Sequence, residues 1–249
     1  MAGHNKWSKI KHRKAVVDKR RGKVWTKCSK AIIVAAKNGG GDPATNLALR
    51  YAIDEARYAN MPRETIERAI QKGAVGGTGE NYEPVRYEGY GPGGVAIIVD
   101  ALTDNRTRTV GDLRLAFGNH GGSLGNSGCV GYMFQVKGRI LVQAPGASEE
   151  KMMELAIEAG AEDCLAPDDA SEEPWTFLCA VSQFQAVKEA IEKAGVGDRA
   201  GSLTIAEAEI AMVPNDTVEV SGEAAASLTE LIDAIEDLDD VQKVYTNAG

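Results

Sequence analysis

A chain of 249 residues with 43% apolar and 26% charged side chains is long enough to bury a core and has a globular composition. It contains no apolar stretch near the roughly 20 residues that span a bilayer and no apolar core of a signal peptide, so we expect a cytoplasmic protein without membrane contact. The four cysteines lie far apart and form no CxxC pair, which indicates neither a zinc site nor a disulfide framework.

The formal net charge of -8 is unevenly distributed along the chain. Residues 1–75 carry 17 Lys+Arg and 6 Asp+Glu, a net charge of +11, whereas the remainder carries 11 and 30, a net charge of -19. This asymmetry predicts a basic surface for a polyanion joined to an acidic body that polyanions avoid. The alternative is that both sets of charges are merely solvated.

The first 14 residues are basic and contain no acid. Their large apolar side chains are Trp7 and Ile10, too few to bury a core, so we predict an arm that becomes ordered on phosphates. His4 and His12 lie among its lysines, where a phosphate is favoured over a metal ion. A mitochondrial transit peptide is an alternative interpretation, but the segment continues without a break into a helical pattern.

Helical periodicity from about residue 15 to 38 predicts an amphipathic first helix. Its apolar residues share one side, and Arg20, Lys23, Lys27 and Lys30 form a cationic stripe on the other. Gly39 to Gly41 end this helix. Asp42 and Pro43 then predict an N-cap and first turn for a second helix, and Pro62 and Gly73 predict the bounds of a third. The three helices form a bundle, with Trp25 in its core or, alternatively, stacked on a base.

A flexible linker over residues 74–81 is followed by strand and helix patterns that predict two further domains. The middle domain has strands at 86–90, 95–101 and 131–136 and a helix at 107–119. The segment from 137 to 206 has the element order of the split βαββαβ unit. A strand near Ile210, a helix at 224–235 and a strand at 241–245 return to the middle domain.

The predicted fold class is therefore α+β multidomain, with an N-terminal three-helix bundle and two α/β domains. At least one of these is ferredoxin-like, and the C-terminus completes the middle one. The predicted domain bounds are 1–76 for the basic helical domain, 80–136 plus 207–246 for the middle domain, and 137–206 for the inserted domain.

The motifs that suggest catalysis or cofactor binding do not fit their surroundings. The segment 89–94 reads GxGxxG but precedes a strand, so we predict a hairpin connection and not a dinucleotide site. His120 and Cys129 resemble a base and a nucleophile, but their flanks favour a helix end and a strand that packs. The carboxylates after Glu149, including Asp239 and Asp240, are interpreted as solvated. We therefore predict no enzyme, no cofactor, no metal site and no small-molecule substrate.

The segment Thr103 to Thr109 combines hydroxyl, amide and guanidinium groups at the start of a helix. Such groups suit phosphate oxygens, which makes Arg106 and Arg108 candidate phosphate ligands. The alternative is that Asp104 or Asn105 is an ordinary helix cap and that the two arginines hold a neighbouring domain through ion pairs.

Several motifs together resemble one family. They include Met1-Ala2-Gly3-His4-Asn5-Lys6-Trp7, Tyr87-Glu88-Gly89-Tyr90-Gly91-Pro92-Gly93-Gly94, Asp104-Asn105-Arg106-Thr107-Arg108-Thr109, Gly121-Gly122-Ser123-Leu124-Gly125 and Asp239-Asp240-Val241-Gln242. The chain resembles the YebC family, which includes the mitochondrial translational activator of cytochrome c oxidase. The resemblance implies three domains and a probable DNA-binding transcriptional regulator, while the mitochondrial relative implies a role in translation. Cys129 stands where that family often has Ser.

The sequence thus predicts a non-enzymatic nucleic-acid-binding regulator. Its partner is duplex DNA, for transcription regulation, or alternatively ribosomal RNA or tRNA on the ribosome, for translation regulation. The predicted phosphate ligands are Lys6, Lys9, Lys11, Arg13, Lys14, Arg20, Arg21, Lys23, Lys27, Lys30, Arg106 and Arg108.

Overall fold

The computed structural model describes residues 17–75, 81–167, 173–195 and 203–249, with side chains from residue 22 onward. These residues form two compact units. Among the described residues, one unit comprises residues 135–213, and the other comprises residues 17–134 together with residues 214–249. The larger unit contains a helical bundle and a sheet, and the smaller unit contains a second sheet.

The helical bundle consists of α1 (Val17–Gly39), α2 (Leu47–Tyr58) and α3 (Arg63–Ala74). Helix α1 packs against both of the others and buries Ile32 completely, next to Leu49 of α2 and Ile66 of α3. Trp25 packs against this core, and its indole N–H donates to the carbonyl oxygen of Ala59 at 3.0 Å. The three-helix bundle is confirmed, with Trp25 against its core.

Two of the predicted helix boundaries in the bundle were wrong. The N-cap of α2 is Asn46, whose side chain accepts a hydrogen bond from the Leu49 amide, while Asp42 accepts from Ala44 in a separate turn. Gly73 does not end α3, which continues to Ala74. A Cβ at Gly73 would lie 2.5 Å from the carbonyl oxygen of Ile33, so this glycine allows α3 to approach α1 closely.

The sheet of the larger unit contains β1 (Glu83–Tyr90), β2 (Ala96–Thr103), β3 (Ser123–Leu124) and β8 (Val241–Thr246) in the order β3-β1-β2-β8. Its helices are α4 (Arg106–Asn119) and α7 (Gly222–Glu236). The return of the C-terminus to this sheet is confirmed, because β8 pairs antiparallel with β2. The GxGxxG segment joins β1 to β2 as a hairpin, also as predicted.

The smaller unit has the ferredoxin-like element order. Its elements are β4 (Phe134–Gln143), α5 (Glu149–Ala159), β5 (Asp163–Leu165), β6 (Trp175–Cys179), α6 (Phe184–Gly195) and β7 (Thr204–Pro214). The strand order β5-β6-β4-β7 is that of the split βαββαβ motif, which confirms the predicted fold.

Two strand predictions near this unit need correction. The strands predicted at 203–206 and near Ile210 are one continuous strand, β7, whose neighbour in the sheet is β4. The predicted boundary at 206 therefore falls inside a strand. The strand predicted at 131–136 begins only at Phe134, because residues 131–133 form a short 3-10 helix, and Cys129 lies in the preceding turn.

Candidate nucleic-acid interface

The predicted phosphate ligands fall into three groups in the structure. Lys6, Lys9, Lys11, Arg13 and Lys14 lie outside the described residues. Arg20 and Arg21 lie in the first turns of α1, and their side chains are outside the described part of the chain. The other five residues have contacts within the larger unit.

Lys23, Lys27 and Lys30, here called the lysine row, lie along α1 and point to the C-terminal end of α7. The ammonium group of Lys27 donates to the carbonyl oxygen of Glu236 at 2.8 Å, and that of Lys30 donates to the carbonyl oxygen of Asp239 at 2.8 Å. Lys23 donates to the Asp237 carboxylate at 3.0 Å. The lysine row therefore binds the protein's own main chain and carboxylates.

The end of α7 needs these cations for electrostatic reasons. The last carbonyl groups of a helix have no partner within the helix, and they carry the negative end of its dipole. Helix α7 has no basic residue in its last turn, and the acidic residues Glu236, Asp237, Asp239 and Asp240 add negative charge there. The lysine row supplies both the missing donors and the opposite charge, and so joins the bundle to the sheet.

Asp240 is the centre of the contact between the bundle and the sheet. It is 7% exposed, and one carboxylate oxygen accepts from Arg108 at 2.6 Å and Thr109 at 2.9 Å. The other oxygen lies 3.3 Å from the ammonium group of Lys30. Burial alone would raise the pKa of Asp240, but the hydrogen bonds from Arg108 and Thr109 and the charge of Lys30 hold that pKa below its usual value. The interpretation of Asp240 as a solvated acid was wrong.

Arg106 and Arg108 also form internal ion pairs. Arg106 makes a two-point contact with the Glu83 carboxylate on β1, with its terminal nitrogen at 2.8 Å from that carboxylate. Arg108 bridges Asp104 and Asp240, and the hydrogen bond to Asp240 raises the pKa of its guanidinium. Asn105 is the N-cap of α4. These pairs lie within the larger unit, although both arginines remain about half exposed, at 61% and 47%.

A second buried carboxylate, Glu88, organises the loop after β3. Its two oxygens accept hydrogen bonds from the main-chain amides of Gly128, Val130 and Gly131 at 2.7 to 2.9 Å. Burial would raise the pKa of Glu88, but these three donors lower it below its usual value. Burial, and in second place the charge of the same carboxylate, raises the pKa of the Cys129 thiol, which disfavours a reactive thiolate.

His120 is the C-cap of α4 and faces α7, where its Nδ1 lies 3.6 Å from a Glu230 carboxylate oxygen. It lines an open groove of about 420 Å³ together with Pro92, Glu223 and Ser227. Cys129 is absent from the lining of this groove.

Across the described ranges, no three His, Cys, Asp or Glu side chains are placed to hold a metal ion. None of the described helices is long and apolar enough to cross a membrane.

Sequence reasoning missed Asp240 and Glu88 as structural anchors. A signal was present for Asp240, because four acids in five residues at a helix C-terminus oppose the helix dipole and demand cations from elsewhere. The lysine row three and four residues apart on α1 is the matching pattern. No comparable local signal marks Glu88, since its three partners are main-chain amides forty residues away in the sequence.

Comparison with known proteins places this architecture in a family. Residues 5–76 match the TACO1/YebC protein N-terminal domain, and residues 82–248 match the TACO1/YebC second and third domain. The chain belongs to the TACO1/YebC family. A crystal structure of a conserved hypothetical protein from Aquifex aeolicus is similar to it with a TM-score of 0.85 and 46% identity, covering 98% of this chain and 96% of that one.

Relatives within the TACO1/YebC family extend over the whole chain. Proteins from Cupriavidus taiwanensis, Cupriavidus necator and Burkholderia ambifaria are each 52% identical over 248 residues, covering 100% of this chain and 98% of theirs. Each of them is named a probable transcriptional regulatory protein.

Proposed function

We propose that this TACO1/YebC protein is a non-enzymatic regulator that binds nucleic acid through the basic segment ahead of its lysine row. The observation that carries the proposal is the division of the N-terminal cations into two sets. Lys23, Lys27 and Lys30 are engaged by the end of α7, whereas eight further Lys and Arg residues lie between residues 6 and 21. This basic segment (residues 6–21) contains one acid, Asp18.

The names of the relatives support transcription as the process. Many transcriptional regulators act by binding duplex DNA, and a dense basic segment supplies the phosphate contacts that dominate affinity for DNA. Phosphate contacts carry little sequence information, so selective promoter binding needs base-edge contacts in addition. The first candidate function is therefore a DNA-binding transcriptional regulator whose selectivity comes from further contacts.

Translation is the second candidate function, and one structural observation favours it. A recognition helix needs free side chains that reach base edges. The lysine row of α1 instead faces the protein's own carbonyl groups. A sequence-neutral cationic segment binds RNA through shape and phosphates as readily as it binds DNA. A ribosome-associated factor that contacts ribosomal RNA or tRNA uses such a segment without a recognition helix.

The experiment that separates the two candidates is a competition at physiological salt. The full chain is offered intact ribosomes and an excess of duplex DNA that contains promoter fragments, and the bound protein is measured on each. A transcriptional regulator moves to particular promoter fragments and leaves the ribosome. Retention on ribosomes against excess DNA would reject the first candidate and support the second.

A matched pair of variants shows whether the basic segment is responsible. Changing Lys6, Lys9 and Lys11 to Gln is expected to weaken binding to the preferred target, because each change removes a phosphate contact. Changing Asp239, which is exposed, to Asn leaves the basic segment intact and is expected to leave binding unchanged. Equal binding by all three proteins would contradict the assignment of the basic segment.

A further inference from the structure

The ferredoxin-like unit is strongly acidic. Residues 135–213 contain 15 Asp+Glu and 6 Lys+Arg, a net charge of -9, whereas the remaining residues are nearly neutral at +1. A surface of this charge repels nucleic acid and attracts cationic partners from a distance. This unit is therefore unsuited to the target that the basic segment binds, which leaves its own role to be explained.

Helix α5 in this unit has an exposed apolar pair on its outer side. Met153 and Ile157 are 46% and 79% exposed, although Met152 and Ala156 of the same helix are buried in the core. The pair is separated by four residues and so forms one patch on the helix surface. Isolated exposed apolar side chains are common, but two adjacent ones on a helix form a continuous contact surface.

Acidic side chains border this apolar patch. Glu150, Glu154 and Glu158 recur at intervals of four residues along α5, and helical geometry places them on one flank of Met153 and Ile157. All three residues are exposed. The combination is an apolar centre with an anionic rim, and its complement is an apolar centre with a cationic rim.

We propose that the outer surface of α5 is a docking site for a basic amphipathic segment of a partner protein. The segment places two apolar side chains on Met153 and Ile157, and its Lys or Arg residues face Glu150, Glu154 and Glu158. A second copy of the chain is a poor occupant, because two units of net charge -9 repel each other. The inference is independent of the proposed nucleic-acid binding, since it uses only residues of α5 and the charge of its unit.

The site is tested with a fluorescent amphipathic peptide of Leu and Lys, with the same residues in scrambled order as the control peptide. Fluorescence anisotropy measures binding of each peptide to the full chain. The amphipathic peptide is expected to bind at least about tenfold more tightly than the scrambled one, because only the former presents its apolar residues on one face. Equal binding of the two peptides would overturn the proposal.

Variants of the protein locate the binding. Changing Met153 and Ile157 to Ser is expected to weaken the binding of the amphipathic peptide about tenfold or more. Val181 is an exposed apolar residue elsewhere in the same unit, and changing it to Ser is expected to alter the peptide affinity by less than about twofold. Ile157→Ser alone serves as a milder variant, and circular dichroism verifies that each variant is folded. Peptide binding that survives both α5 variants would overturn the assignment.

Charge variants and self-association complete the test. Glu154→Gln is expected to weaken peptide binding and to reduce the salt dependence of that binding. Lys151→Gln on the same helix is expected to strengthen peptide binding. Sedimentation of the full chain measures association between copies. Concentration-dependent dimers that Ile157→Ser abolishes would overturn the partner-protein assignment in favour of a second copy.

Discussion

Asp240 is the residue on which the junction between bundle and sheet depends. Its carboxylate accepts from Arg108, Thr109 and Thr103 and faces Lys30, so four groups from three elements converge on one buried side chain. A buried carboxylate is stable only when its charge and its lone pairs are satisfied in this way. Removal of the charge leaves Arg108 and Lys30 facing each other with no anion between them.

Replacing Asp240 with Asn is therefore expected to lower the free energy of unfolding at neutral pH by about 2 kcal/mol. Urea unfolding followed by circular dichroism measures the change. The adjacent exposed aspartate provides the control, because Asp239→Asn is expected to change stability by less than about 0.5 kcal/mol. Equal effects of the two substitutions would contradict the role of Asp240.

The same pair of proteins has a predicted pH dependence. The pKa of Asp240 is lowered in the folded protein, so its stabilisation is fully present above the unfolded value of about 3.9. That stabilisation is lost as the pH falls through the lower folded pKa. The difference in unfolding free energy between wild type and Asp240→Asn should thus stay constant from neutral pH to about 5 and shrink below about 4. A difference that grows on acidification would contradict the account.

At the level of single residues, sequence patterns identified which residues could cap a helix or bind an ion, but not which groups those residues contact in the fold. Asp42 and Asn46 both suit an N-cap, and the choice of Asn46 depends on where α2 packs. Asp240 was read as solvated because acids at a helix end are usually exposed. Its burial arises from Arg108 and Lys30, which lie more than 130 residues away in the sequence.

At the level of elements, the first helix shows what periodicity can and cannot give. The 3.6-residue repeat correctly placed Cys28 and Ile32 on the buried side of α1, but Val24, which has the same phase in the repeat, is exposed. It contained no information about what the lysines contact, and a cationic stripe for phosphates has the same pattern as a stripe for a helix C-terminus. The acids that distinguish the two lie at the far end of the chain, in α7 and the turn before β8.

Helix α3 gives a prediction at this scale. Gly73→Ala is expected to destabilise the protein by about 1 to 3 kcal/mol, because the new methyl group would lie 2.5 Å from the Ile33 carbonyl oxygen and 2.7 Å from the Ala36 side chain. Gly111 of α4 is a matched control, since a Cβ there meets no atom within 4 Å. Gly111→Ala should stabilise by about 1 kcal/mol through helix propensity. Thermal unfolding measures both changes, and stabilisation by Gly73→Ala would show that α1 and α3 are not in close contact.

At the level of the whole molecule, the charge distribution is the property that links fold to function. The sequence predicted a basic end and an acidic remainder, and it predicted the ferredoxin-like fold from element order alone. It did not predict that part of the basic end neutralises part of the acidic remainder, as the lysine row does at the end of α7. The cations left for a polyanion are concentrated ahead of that row, and residues 135–213 carry a net charge of -9.

The central claim is that the basic segment, and not the lysine row, binds phosphates. It is tested most directly by the salt dependence of binding to a short duplex DNA. Each phosphate contact contributes about -0.9 to the slope of log K against log salt. Two triple variants are compared with wild type, and they are matched in residue type and number: Lys6, Lys9 and Lys11 to Gln, and Lys23, Lys27 and Lys30 to Gln.

The slope for the first triple variant is expected to be shallower than that of wild type by about 2.7, three contacts at 0.9 each. The second triple variant should be less stable but keep the wild-type slope, and Lys23→Gln alone provides a variant that remains folded for the comparison. Flattening of the slope by the lysine-row changes, with no effect of the changes at residues 6, 9 and 11, would contradict the account.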